Sequence, residues 1–254
     1  RKGRIKTIRR VVDRMALIFP FEEEIFREAG VRATFVGHPL LDEIEIAGTA
    51  DEIRCDLGLA EEKRTVALLP GSRESEVRAL LPGMVGAAKI LTARFGSGIQ
   101  FVLPMAYTLS PEWIEGIAVS SGVPIRLVAG RTHEVLSAAD AAIVASGTAT
   151  LETALLVKPM VIVYKVSPLT FFLGKRVVRV KHIGLANIVA GRTVVPELIQ
   201  QDFTAERVAD EVTRILVDQN VRDTMIRELS EIRARLGNPG AARRAARLAC
   251  DMLG

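Results

Sequence analysis

Residues 142–164 read Ala-Ile-Val-Ala-Ser-Gly-Thr-Ala-Thr-Leu-Glu-Thr-Ala-Leu-Leu-Val-Lys-Pro-Met-Val-Ile-Val-Tyr, and this stretch decides the fold. Two apolar runs of strand length flank a turn of small residues and a short helical segment. An unbroken apolar run, rather than an alternating one, marks a strand covered on both faces, as in a parallel sheet. The turn itself, Ser146-Gly147-Thr148-Ala149-Thr150, carries no bulky side chain. Backbone N–H groups in such a turn can be brought against an anion.

Upstream, the same alternation repeats. The pattern predicts strands over 65–69, 100–103, 125–128, 141–144 and 159–164, with helices over 74–95, 111–120, 132–138 and 148–156 between them. Five strands alternating with helices specify an α/β fold, a Rossmann-like parallel sheet with helices on both faces. Before it, an apolar run from Met15, a short helix over 21–29 closed by Gly30 and a strand over 33–36 make a βαβ-like scrap, and residues 40–63 read as an acid-rich linker. After Tyr164 the alternation stops. Helices are expected over 167–182, 204–217, 220–236 and 241–253, with 194–199 irregular. The pattern separates 1–42, a piece too small to be a domain by itself, from 43–236, which holds the sheet, and from a terminal helix in 237–254.

Composition sets outer bounds. In 254 residues, apolar side chains make up 49% and charged ones 25%, while aromatics are only 5%, so the core is aliphatic. The net charge of +4 suits an anionic partner. The basic charge is concentrated: residues 1–14 hold seven Lys/Arg against one acid, and 165–192 hold six against none. The two cysteines, Cys55 and Cys250, fit neither a metal spacing nor a disulfide framework, which makes a reducing, cytoplasmic setting the default. No apolar run is long enough to span a bilayer, so membrane contact would be peripheral. The chain opens on Arg-Lys-Gly-Arg without Met and reads as a piece beginning inside a longer protein.

In an open parallel sheet ligands sit at the carboxyl ends of the strands. The loop after Leu69 is Pro70-Gly71-Ser72-Arg73-Glu74-Ser75-Glu76. There Gly71 and Ser72 beside a helix start, with Arg73, favour a phosphate; alternatively Ser72 only caps the helix while Arg73 pairs with Glu74 or Glu76. The loop after Val128 holds Gly130, Arg131 and His133, which either present polar groups to a planar base or are simply exposed. In the turn after Val144, Ala149 occupies the position where a capping box would need Ser or Thr before Glu152. Glu152 therefore either accepts hydrogen bonds from a sugar diol or answers the helix dipole. The mixed apolar and basic stretch 167–192 can lie on an anionic membrane, hold an acyl chain, or pack as an amphipathic helix. Asn187, read as part of an apolar loop, either grips a ligand or closes a turn. His38, before Pro39, faces a cleft or merely fixes an extended backbone. Dinucleotide, Walker, zincin and nucleophile-elbow motifs are all absent from the sequence.

Taken in order, Phe35-Val36-Gly37-His38-Pro39-Leu40, Leu68-Leu69-Pro70-Gly71-Ser72-Arg73 with Glu76-Val77, residues 145–152 and Gly184-Leu185-Ala186-Asn187 resemble the lipid-A-disaccharide synthases. The resemblance implies a GT-B-type glycosyltransferase with two Rossmann-like domains: 43–236 is the ligand-binding one, 1–42 is the remnant and hinge of the other, and the terminal helix in 237–254 packs back toward that remnant. It implies an inverting transfer of 2,3-diacylglucosamine from its UDP conjugate to 2,3-diacylglucosamine 1-phosphate (lipid X), giving the β-1,6 disaccharide and UDP. No metal and no cofactor are implied. On this likeness Arg73, Glu152 and Asn187 form the catalytic set: Arg73 meets the diphosphate, Glu152 holds the ribose and Asn187 lies beside the donor. Gly71, Ser72, Ser146, Gly147, Thr148 and Ala149 complete the cradle, with Gly130, Arg131 and His133 toward uracil. The general base falls upstream of residue 1, so this polypeptide is expected to bind UDP without turnover.

The resemblance also implies a peripheral place on the cytoplasmic face of the inner membrane of a Gram-negative bacterium, on an anionic lipid surface, and it allows a homodimer. A peptidoglycan-type N-acetylglucosaminyltransferase and a UDP-sugar epimerase share the fold and are the rival enzyme readings. Nucleic acid is disfavoured because aromatic platforms are lacking.

Overall fold

A computed structural model describes residues 2–120, 122–166 and 181–252. The chain divides into two compact units, Arg1–Glu45 with Glu231–Gly254, and Ile46–Ser230.

The larger unit carries α4 (Ala50–Asp56), β3 (Arg64–Leu69), α5 (Glu74–Phe95), β4 (Ile99–Met105), α6 (Pro111–Ser120), β5 (Ile125–Ala129), α7 (Thr132–Ala138), β6 (Ala141–Ala145), α8 (Thr148–Leu155), β7 (Met160–Tyr164), α9 (Leu185–Ala190), β8 (Glu197–Ile199), α10 (Ala205–Val217) and the start of α11 (Gln219–Arg235). Its six strands are all parallel, in the order β5-β4-β3-β6-β7-β8. The central strands are apolar because both faces are covered: every residue of β6 is buried, as are Val66 to Leu69 of β3. Gly83 and Gly86 let α5 pack closely against the segment that starts α10; a Cβ on Gly83 would lie 2.6 Å from Phe203, and one on Gly86 3.0 Å from Ala205.

The alternation predicts five strands, and among the described residues the sheet has six. β8, expected as irregular, is a three-residue edge strand after Pro196, too short to show a period; its pairing with β7, Ile162 opposite Glu197, makes it a strand. Asn187 lies on α9 rather than in a loop. The predicted helix over 167–182 falls almost wholly outside the described residues.

The strand order decides where a ligand goes. β3 pairs with β4 on one side and β6 on the other, so successive connections run outward in opposite directions from β3 and β6. That is the topological switch point of a doubly wound sheet, and the crevice outside its carboxyl ends is left open. The amino ends are closed instead. Asp140, just before β6, accepts from the Thr65 amide at 2.8 Å and pairs with Arg54 at 3.0 Å. Lys158 Nζ donates to the Ser137 and Ala139 carbonyls at 2.7 and 3.2 Å, and burial pulls its pKa down from the ordinary lysine value.

The smaller unit contains α1 (Lys2–Val11), β1 (Met15–Leu17), α2 (Glu22–Glu28), β2 (Ala33–Phe35), α3 (Leu40–Glu43) and α12 (Ala241–Cys250). β1 and β2 pair in parallel over Leu17, Phe26 and Val31, with Ile8 packed against them. The sequence pattern does not show α1, since its density of positive charge hides the apolar positions, such as Ile8, that dock it. Asp42 caps α12, its carboxylate accepting from the Gly240 and Ala241 amides, and Arg244 donates to the Val36 carbonyl at 2.7 Å. No described helix is long and apolar enough to cross a membrane.

Candidate functional site

Leu69 and Val144 lie opposite each other in the β3–β6 ladder, so the chain leaves the sheet twice at neighbouring points. The two exits wall a cavity of about 310 Å³ lined by Gly71, Ser72, Arg73, Glu76, Ser146, Gly147, Thr148, Ala149 and Glu152, with Pro104, Ala106 and Thr132 at its side. This is within the size range of small-ligand sites. Two of the helices that begin at it, α5 and α8, start in its main walls, and α7 starts at its side with Thr132. α5 has Arg73 as its N-cap and α8 has Gly147, and at neither start does the cap residue's side chain accept a backbone amide of its helix. Ser72 is therefore not the cap of α5. Uncapped helix starts present N–H donors and partial positive charge, which favour an anion.

Arg73 adds a full charge at the same place. Its side chain is 79% exposed and its Nη1 lies 2.7 Å from Glu76 Oε1. Gly71 has φ +107, and a Cβ there would stand 2.6 Å from Glu76 Oε2, so this turn requires glycine. Across the cavity, Gly147 is extended and a Cβ on it would meet nothing within 4 Å. The turn below it is tied down by hydroxyls: Ser146 Oγ donates to the Ile183 carbonyl at 3.0 Å, and Thr150 Oγ1 donates to the Gly147 carbonyl at 2.8 Å while accepting from the Leu185 amide at 3.1 Å. Glu152 is one turn deeper on α8, its carboxylate 4.0 Å from His133 Nε2. A cation, two helix starts and a carboxylate one turn away can hold a phosphorylated ligand that also carries a diol.

The structure does not bring every expected residue to the cavity. Gly130 and Arg131 are away from it. The Gly130 amide donates to the Met105 carbonyl at 3.0 Å, and Tyr107 covers the residue. Arg131 is bound to Glu134 and Asp56, which hold its pKa above the ordinary arginine value. Of that loop only Thr132 lines the cavity and His133 reaches it through Glu152. Asn187 is likewise committed elsewhere. It is fully buried; its Nδ2 donates to Val195 O and Glu197 Oε1, and its Oδ1 accepts from the Val194 and Val195 amides. An amide with two donors and two acceptor sites has none left for a ligand. Glu197, the acid in the apolar run Val194-Val195-Pro196-Glu197-Leu198-Ile199, was not singled out in the sequence.

The model of a family described as lipid-A-disaccharide synthetase matches residues 1–249. The chain belongs to the lipid-A-disaccharide synthetase family. It is 51% identical over 254 residues to the lipid-A-disaccharide synthase of Syntrophus aciditrophicus (strain SB), and 48% identical over 253 residues to that of Myxococcus xanthus (strain DK1622). Each alignment covers 100% of this chain but 66% of the relative, so the chain spans about two thirds of the length of these synthases.

Among solved structures it is similar to WaaG, a glycosyltransferase involved in lipopolysaccharide biosynthesis (TM-score 0.58, 14% identity, 86% of this chain and 58% of that one). It is also similar to Anabaena HepE in complex with UDP and glucose (TM-score 0.58, 12% identity, 100% and 66%). At these identities the likeness concerns the fold, which for this synthetase-family chain is the α/β GT-B type.

Proposed function

We propose that this chain carries the donor-binding part of a lipid-A-disaccharide synthase, which transfers 2,3-diacylglucosamine from its UDP conjugate to 2,3-diacylglucosamine 1-phosphate. The observation that carries this reading is the meeting of Gly71, Ser72 and Arg73 with Ser146 to Glu152 at the switch point of the sheet. The leaving group of the transfer is a diphosphate, whose negative charge grows as the glycosidic bond breaks. Arg73 and the starts of α5 and α8 are fixed dipoles and charge aimed at that position. Glu152, one turn into α8 on the same cavity wall, accepts from the ribose diol. His133, beside Glu152, is the part of the 130–133 loop left to meet the base.

Past the Arg73–Glu76 pair a second hollow of about 510 Å³ opens, lined by Ala79, Leu80, Tyr164, Lys165 and Val166. Its apolar walls suit an acylated sugar better than a bare one. The proton acceptor for the acceptor hydroxyl is not among the residues assigned here, and residues 1–254 bind UDP without turnover on this reading. The basic residues Arg4, Lys6, Arg9 and Arg10 of α1 support a peripheral place on an anionic membrane surface at its cytoplasmic side.

Calorimetry with UDP, UDP-N-acetylglucosamine and the UDP-diacylglucosamine donor tests the assignment. Tightest binding of the acylated donor is expected. Equal affinity for all three overturns the synthase reading in favour of a general UDP-sugar enzyme, and disaccharide formation by this chain alone overturns the division of labour.

A further inference from the structure

We propose that Glu197 is a positioning residue of the diphosphate cavity, latching the turn that underlies Ser146 and Gly147; this rests on the donor-site reading above. The Glu197 side chain is only 8% exposed. Its Oε2 accepts from the Ile183 amide at 3.0 Å, and its Oε1 accepts from the Gly184 amide at 3.1 Å and from Asn187 Nδ2 at 2.8 Å. A buried carboxylate is costly unless its lone pairs are met, and here three donors converge on it. His182 Nδ1 lies 3.9 Å from the same Oε1, beyond hydrogen-bond reach.

The turn that Glu197 holds is the one the cavity stands on. Ile183, whose amide Glu197 accepts, offers its carbonyl to Ser146 Oγ at 3.0 Å. Leu185, next to Gly184, donates its amide to Thr150 Oγ1, which in turn donates to the Gly147 carbonyl. The connection from β8 to the cavity is therefore continuous: Glu197 to residues 183–185, and from there to Ser146, Thr150 and Gly147. Close packing makes it stiff. A Cβ on Gly184 would lie 2.3 Å from Ile162 Cδ1 and 3.2 Å from Glu197 Oε1, so the turn is pressed against both β7 and the carboxylate.

All three partners of Glu197 are donors, so the position demands an acceptor at both oxygens. Glutamine has the same shape but presents an NH2 at one of them, opposing either Ile183 N–H or the Gly184 and Asn187 donors. Glu197→Gln is thus a disruptive change made without a change in volume. It releases the 183–185 turn, and through it the placement of the Gly147 end of α8, which no cavity-lining residue would reveal.

The test is UDP binding to the full chain by calorimetry, at a temperature where circular dichroism shows each variant fully folded. Wild type, Glu197→Gln, Thr150→Val, the double variant and Val212→Ala are compared; Val212 is buried in α10 and serves as a core control for lowered Tm. Glu197→Gln and Thr150→Val are each expected to weaken UDP at least tenfold, the double variant no more than the weaker-binding single one, and Val212→Ala less than twofold. Non-additivity is the mark of one shared latch. Should Glu197→Gln fail to fold, Thr150→Val alone decides, since it cuts the same connection at its other end. Wild-type affinity in the folded Glu197→Gln or Thr150→Val protein, or an equal loss in Val212→Ala, overturns the latch while leaving the UDP site standing. Absence of UDP binding by the wild type overturns the donor-site reading itself.

Discussion

Arg73 Nη1 stands 2.7 Å from Glu76 Oε1, one turn into α5, yet the Arg73 side chain stays 79% exposed. A guanidinium has five N–H donors, and a single exposed carboxylate neighbour binds it only weakly. The cation is therefore held at the cavity without being consumed there. Arg73→Ala is expected to weaken UDP about tenfold or more at low ionic strength, and the loss should shrink as salt is added, because an exposed charge is screened. Glu76→Gln removes a negative charge from beside the anion and is expected to tighten UDP severalfold. Calorimetry at two salt concentrations checks both; an Arg73→Ala variant that binds like wild type at low salt removes Arg73 from the site.

On the proposed reading Glu152 meets the ribose diol and leaves the phosphates to Arg73 and the helix starts. Hydrogen bonds to a charged group are worth about 1.5–3 kcal/mol each, so Glu152→Ala is expected to weaken UDP by roughly 10- to 100-fold. Inorganic pyrophosphate has no diol, and its binding should change less than twofold. Equal losses for the two ligands would mean that Glu152 acts through the shape of α8 instead.

Much of this arrangement was legible in the sequence, and what was missed has physical causes. Buried strands announce themselves by unbroken apolar runs, and 142–164 carries two of them; α5, α6 and α7 begin and end where the pattern places them. The edge strand β8 did not show, because three residues beside a proline have no period and become a strand only by pairing with β7. Of the loops that leave strands at the carboxyl end, those after β3 and β6 supply most of the cavity wall. Which two meet depends on strand order, and that is fixed by pairing in space. β5 lies at the sheet edge, so the loop holding Gly130 and Arg131 ends up mostly beside the site, with Arg131 drawn off by Asp56 and Glu134. Asn187 shows the converse. An amide among apolar neighbours looked available to a ligand, but burial obliges every one of its polar groups to find a partner nearby.

Gly147 allows function to be tested apart from folding. Its backbone is extended rather than left-handed, and a Cβ would meet nothing within 4 Å, so Gly147→Ala should fold with Tm within a few degrees of wild type. The residue lines the cavity, and the added methyl narrows the approach to the start of α8. A loss of UDP affinity of about tenfold with unchanged Tm is expected from thermal unfolding and calorimetry together. Unchanged affinity would show that the ligand does not approach this backbone.

His38 predicts a pH dependence of the smaller unit. Its Nδ1 accepts from the Leu40 amide at 3.2 Å, its ring lies 5.1 Å from that of Phe19, and the residue is buried. An accepting Nδ1 must be unprotonated, and burial, partly opposed by Glu43, lowers the pKa from its ordinary 6.5. The sign follows from linkage: above 6.5 the neutral ring is present in both folded and unfolded chains and its contribution is complete. As pH falls from 6.5 toward the lowered folded value, the unfolded chain takes up a proton that the folded one resists. Stability is then lost at up to about 1.4 kcal/mol per pH unit, and the loss stops below the folded value. Proton NMR of the His38 ring is expected to titrate with a midpoint below 6.5, and His38→Gln to reduce the fall in Tm between pH 7 and pH 5.5. A midpoint at or above 6.5 would mean that the proton finds an acceptor on Nδ1, and the Leu40 hydrogen bond would then have to be given up in the folded state.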